Sequence, residues 1–141
     1  MKPIISVFTV LSIVLFVVAC ATDYQAKGYT GGFSETQLGE NSYRIYFSGN
    51  AKTSSERASD FALLRAAELT IENGHQFFIV TESQDKVSTR VIGDEDSVTT
   101  QNRPRTDITV RMFDTKPQDS RIVYEAKFVR QSIRGKYKIV D

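Results

Sequence analysis

The chain has 141 residues, with one cysteine, one histidine, three prolines and no surplus of either charge. A single cysteine excludes an internal disulfide and any zinc site built on cysteines. A single histidine, His75, cannot supply a histidine metal cluster. As a catalytic base it would need a partner nucleophile, and no such spacing is present. Lysine and arginine number 18 against 17 acidic residues. Nucleic-acid binding rests on displacing counterions with a basic surplus, so no nucleic acid is expected as a partner. The apolar run Ile4–Val18 is 15 residues long, short of the ~20 that a membrane-spanning helix needs. There is no G-x-S-x-G, P-loop or G-x-G-x-x-G, and no internal repeat. No enzyme, cofactor or metal ion is expected. The 40% hydrophobic and 25% charged residues are those of an ordinary globular chain, and the length fits one domain.

The N-terminus carries the strongest positive signal. Lys2 precedes the apolar run, which ends in Val17-Val18-Ala19-Cys20. A short charge-free segment of this kind reads as a secretory signal, and the last four residues resemble the lipobox of bacterial lipoproteins. The small Ala19 suits a signal-peptidase pocket. The Cys20 thiol can take a thioether-linked diacylglycerol. The resemblance implies cleavage before Cys20 and acylation there, with the chain bound to a membrane by its lipid anchor. Ala21 stands where an aspartate would favour the inner membrane, which implies an outer-membrane address facing the periplasm in a Gram-negative cell. The alternative is an uncleaved membrane helix with an incidental cysteine. Removing residues 1–19 takes Lys2 away and leaves 17 charges of each sign.

Residues 20–32 are polar and contain Gly28, Gly31 and Gly32, and read as a flexible tether for a single domain over 33–141. Phe33–Leu38 and Ser42–Ser48 form a hairpin around Gly39-Glu40-Asn41. Tyr43, Ile45 and Phe47 alternate with polar neighbours, so one face is buried. Thr53 and Glu56 have capping-box spacing before an amphipathic helix that ends near Gly74. Gln76–Glu82 and Thr106–Asp114 are strands, with residues around Lys86 to Ile92 able to extend the hairpin, Gly93–Asn102 a mobile loop, and Ile122–Ile133 a second helix capped by Asp119 or Ser120. The run Val123-Tyr124 with Phe128 also fits a strand, and Lys136–Val140 a tail strand. The order ββαββα predicts an α+β two-layer sandwich, with two helices on an antiparallel sheet.

Few residues invite chemistry. His75 reads as an exposed loop histidine after the capping Gly74. Asp94-Glu95-Asp96 lacks the ligand alternation of a calcium loop and reads as a solvated tip. Arg103, Arg105 and Arg111, with Lys127, Arg130, Arg134, Lys136 and Lys138, could meet anionic head groups or acidic glycans, or be plain solvated surface. Tyr24, Tyr29, Phe33, Tyr43 and Tyr46 could form a binding platform or fill the core. Ser48-Gly49-Asn50 with Ser55-Glu56-Arg57-Ala58 is faintly similar to peptidoglycan-binding domains that pair a strand-end Asp with a helix Arg, but the Asp is missing.

Gly32-Phe33-Ser34-Glu35-Thr36-Gln37-Leu38-Gly39, Tyr43-Arg44-Ile45, Phe47-Ser48-Gly49-Asn50 and Arg65-Ala66-Ala67-Glu68-Leu69-Thr70 with Gly74 form a longer pattern. Together they resemble a family of small proteobacterial lipoproteins. The likeness covers roughly residues 31–80 and the lipobox. It implies export and anchoring, and brings no catalytic or binding residue. Arg65 and Glu68 are either surface partners one turn apart or, for Arg65, a semi-buried anchor between helix and sheet. The function expected is a non-enzymatic interaction or assembly module with an envelope protein partner. A small-ligand, peptide or glycan binder is the alternative, and a periplasmic enzyme comes third.

Overall fold

The computed structural model describes residues 20–94, 97–119 and 121–140. The expected signal segment, and Glu95, Asp96 and Ser120 of the expected tip and cap, lie outside the described residues. The elements are β1 (Gly32–Gly39), β2 (Ser42–Ser48), α1 (Ser55–Glu72), β3 (Phe77–Asp94), β4 (Ser97–Phe113), β5 (Val123–Glu125) and α2 (Ala126–Tyr137). The five strands form one antiparallel sheet in the order β1-β2-β4-β3-β5. Both helices pack together against it, which makes the expected two-layer α+β sandwich.

Alternation in β2 buries Ile45 and Phe47, and β4 adds Ile108, Val110 and Met112. Small residues let α1 lie close to this surface: Ala58, Ala62, Ala66 and Ala67 are all fully buried. Phe61 fills the centre. Its ring meets Phe47 at 5.2 Å, Tyr137 of α2 at 4.9 Å and Tyr24 at 5.5 Å, all edge-on. These are the favoured orientations for aromatic quadrupoles. The α1 N-cap falls one residue after the expected capping box. Ser54 Oγ accepts from Arg57 N at 3.1 Å, and Gly74 closes the other end at φ +79°.

Five sequence expectations are corrected. Residues 20–32 are docked rather than free. Thr22 is buried, its N–H donating to Thr53 Oγ1 at 2.9 Å and its hydroxyl to the Thr30 carbonyl at 2.6 Å. Gly31 and Gly32 have φ of +108° and +126°, and a Cβ on Gly31 would lie 2.2 Å from the Ser48 carbonyl oxygen. The glycines thus permit close packing, where composition alone suggested flexibility. Gly93–Asn102 is not a loop but the end of a long β3–β4 ladder, in register out to Asp94 opposite Ser97. The chain after β4 forms the short strand β5 before α2 starts at Ala126, so the order is ββαβββα. Asp119 caps nothing. Its carboxylate holds Arg121 at 2.6 Å, and that contact keeps its pKa at about 2. Lys136–Val140 is no strand: α2 runs to Tyr137 and ends on Lys138 in the left-handed region.

Charged groups lock the layers together. Arg65 is a semi-buried anchor, not a surface partner. Its guanidinium lies 4.8 Å from the Phe33 ring and donates to Glu35 of β1 at 2.8 Å and Glu72 at 3.0 Å. Glu68, beside it, accepts from the Tyr24 hydroxyl and from Arg134 of α2. Burial, then the bond to Glu68, drives the Tyr24 pKa well above its ordinary value.

Two outcomes are expected. Gly31→Ala should lose about 1–3 kcal/mol of stability in urea melts, the cost of a strained backbone site; a silent substitution would mean an undocked segment. Tyr24 should ionise late. Its folded pKa lies above the unfolded value of about 10, so its contribution to stability is complete below that pH and is lost as pH rises further. The absorbance difference at alkaline pH between wild type and Tyr24→Phe should place the missing step well above pH 10.

Candidate functional site

The β3–β4 ladder outruns the rest of the sheet. β2 ends at Ser48, opposite Arg105, and β5 covers only Phe77–Ile79 of β3. Beyond these points the two strands continue as a two-stranded arm, from Val87 opposite Pro104 to Asp94 opposite Ser97. Eight residues at the usual strand rise make the arm ~26 Å long. Pro104 is tolerated at its root for a geometric reason. The Pro104 carbonyl accepts from Gly49 N at 2.9 Å. A strand residue directs its N–H and C=O to the same neighbour, so the missing donor faces the side where β2 has ended.

The two faces of the arm differ. Cross-strand pairing puts Val87, Thr89, Val91, Val98, Thr100 and Pro104 on one face, continuous with the surface that α1 covers lower down. No helix reaches this far, and Val87, Val91 and Val98 are 54, 65 and 71% exposed. The opposite face carries Lys86, Arg90, Arg103 and Arg105, with Ile92 toward the tip. Exposed apolar side chains on an unpaired ribbon add nothing to the core and favour contact with another molecule.

At the arm's root the cationic face closes into a cleft of about 430 Å³. The docked N-terminal segment supplies Lys27 and Tyr29, β2 supplies Tyr46, and β4 supplies Arg103 and Arg105. The Arg105 guanidinium lies 4.0 Å from the Tyr46 ring centroid, and Lys27 Nζ lies 5.1 Å from it. No carboxylate lines the cleft. Asn50, at its rim, donates its side-chain amide to the Cys20 carbonyl at 2.9 Å. The exposed Cys20 is therefore held beside the cleft.

The other sequence candidates separate. Arg103 and Arg105 reach the cleft, while Arg111 lies further down β4, its guanidinium 5.7 Å from the Phe113 ring. Arg134 and Lys136 join α2 to α1 through Glu68, Glu56 and Asp60. The bonds to Asp60 and Glu56 raise the Lys136 pKa. Lys127 and Lys138 are exposed. Tyr24, Phe33 and Tyr43 pack on the core, leaving Tyr29 and Tyr46 for the cleft. His75 is tucked in rather than exposed, with Nδ1 2.5 Å from Asp114 and Nε2 3.2 Å from Asn41. Arg57 lies over the Phe61 and Tyr137 rings, away from any strand-end acid of the peptidoglycan-binding kind. Among the described residues, no group of three or more His, Cys, Asp or Glu is placed to hold a metal ion. A second concavity, of about 470 Å³, lies between β5 and the helices, lined by Leu63, Phe77, Val123, Tyr124 and Phe128.

The extension of the hairpin through Lys86–Ile92, which the sequence allowed, is present, whereas the return half of the arm is a strand in place of the expected loop. Val87, Thr89 and Val91 alternate with polar residues at period two. No family model matches the chain, and no curated protein or solved structure is similar to it.

The valine face of the arm is expected to add nothing to core packing. Val91→Asp should change stability by less than about 0.5 kcal/mol in urea melts, as for a surface position. A larger loss would mean that this face is packed in the isolated protein.

Proposed function

We propose that the chain is a lipid-anchored envelope protein, acylated at Cys20, held at the outer membrane and facing the periplasm. In this reading it belongs with the small proteobacterial lipoproteins that its motifs resemble. It works there as a non-enzymatic interaction or assembly module, and the β arm engages an envelope protein. The arm is the observation that carries this reading. It exposes three valines on one face at no benefit to the fold, while the domain beneath it is closed by its own core. A ribbon of this kind can seat its apolar face on a partner or offer its free strand edges. The charge balance of the mature domain excludes strong non-specific attraction, so recognition would rest on this shaped surface. A second reading, a small-ligand binder, is favoured by the cleft at the arm's root.

The test has two stages. Protein isolated from membranes should have the intact mass of a chain starting at Cys20 with acyl groups, and Cys20→Ser should abolish the adduct. A photo-crosslinker on the arm should then capture an envelope protein, and Val91→Asp should reduce capture at least tenfold with expression unchanged. A full-length, unmodified chain would replace the anchored protein with one held by an N-terminal helix.

A further inference from the structure

We infer that the cleft of Lys27, Tyr46, Arg103 and Arg105 binds the phosphate-bearing head group of an anionic glycerophospholipid. The inference rests on the anchoring reading for its choice of ligand, and on the cleft's own chemistry for the site.

The charge there is uncompensated. Among the described residues no carboxylate lies within salt-bridge distance of Lys27, Lys86, Arg90, Arg103 or Arg105, although the mature sequence has an acid for every base. The cations paired with acids are the ones that tie the layers together, such as Arg65, Arg134 and Lys136. The cleft is thus a concave, cationic region in a balanced protein. Its size falls in the range of small-molecule sites, ~300–1,000 Å³.

The guanidinium of Arg105 is also pre-oriented. The cation lies over the Tyr46 ring at 4.0 Å, an attraction that does not require its N–H groups to be spent on an acceptor. Those donors stay available for a bidentate contact with phosphate oxygens. Cross-strand neighbours Ser88 and Arg103 place a hydroxyl and a second guanidinium on the same face. Lys27 adds a point charge from the docked N-terminal segment.

Position selects the source of the phosphate. Asn50 lines the cleft and holds the Cys20 carbonyl. With Cys20 acylated, the cleft sits at the surface of the leaflet, where lipid phosphates are the most concentrated anions. Basic residues beside an anionic surface are drawn to its head groups.

The test uses the mature protein in uncharged detergent micelles. The micelles are doped with phosphatidylglycerol or with phosphatidylcholine at equal mole fraction, and thermal unfolding is followed. Phosphatidylglycerol should raise Tm by ~3–5 °C at tenfold excess over its dissociation constant, and phosphatidylcholine should not. Arg103→Gln/Arg105→Gln should lose the rise but keep the wild-type Tm without lipid, whereas Lys127→Gln/Lys138→Gln, with the same charge change, should keep the rise. Equal shifts with both lipids, or a rise surviving in the double arginine variant, would overturn the site. An equal rise with 10 mM inorganic phosphate alone would overturn the lipid assignment. The intact mass of the same sample separates the two readings. An unacylated chain that responds as expected supports the cleft while sinking the anchor. An acylated chain that fails to respond leaves the anchor and removes the cleft.

Discussion

The guanidinium of Arg65 is the point at which the layers of this protein meet. Its side chain is only 13% exposed, so its charge must be satisfied within the protein. It stacks on Phe33, pairs with Glu35 across the layers and with Glu72 along its own helix, and lies beside Glu68. Glu68 in turn receives Tyr24 from the N-terminal segment and Arg134 from α2. Four separate pieces of chain are held by one connected set of charges. The edge strand β1 is pinned by this set as well as by its ladder to β2 and by the bridge between Ala26 and Phe33. The docking of residues 20–32 depends on it too, because Tyr24 reaches Glu68 only when Thr22 and the two glycines are seated.

In the proposed anchored protein, that docking would fix the point of attachment. A free leader of twelve residues would let the domain wander by up to about 40 Å from a lipid on Cys20. With Thr22 buried and Asn50 holding the Cys20 carbonyl, attachment and cleft share one end of the sheet, and the arm leaves from that end. Residues 20–22 are therefore held to the domain by hydrogen bonds and do not act as a free linker. The arm itself is thermodynamically dependent. An isolated two-stranded ribbon is marginal in water, and this one is nucleated by the rigid sheet below it.

Local signals in the sequence were strong wherever one face of an element meets the core. The β2 alternation through Ile45 and Phe47, the alanine-rich α1 and its closing Gly74 all appear as expected. The antiparallel α+β sandwich follows from them. The end of the chain was ambiguous because Val123-Tyr124 with Phe128 fits either period. The structure divides the run, giving the first two residues to β5 and Phe128 to α2. Pro104 lies within β4 and not outside it, because its missing donor faces the side where β2 has ended. The polar stretch after Glu82 lacks the hydrophobic run of a buried strand, because it has no second layer to face.

The sequence by itself determined the class of fold, the main helix and the central strands, and it carries the proposal of an anchor at Cys20. Each of these depends on short-range pattern: periodicity, capping, or a run of adjacent residues. The tertiary structure decided what far-separated residues do together. Arg65 and Glu35 are thirty residues apart and became the anchor of the sandwich. Lys27, Tyr46 and Arg105 come from three segments and became one cleft. The glycines of the presumed tether became close-packing positions. Periodicity records which face of an element is buried, but the meeting of two faces depends on strand order and register, and those are fixed only when the chain folds.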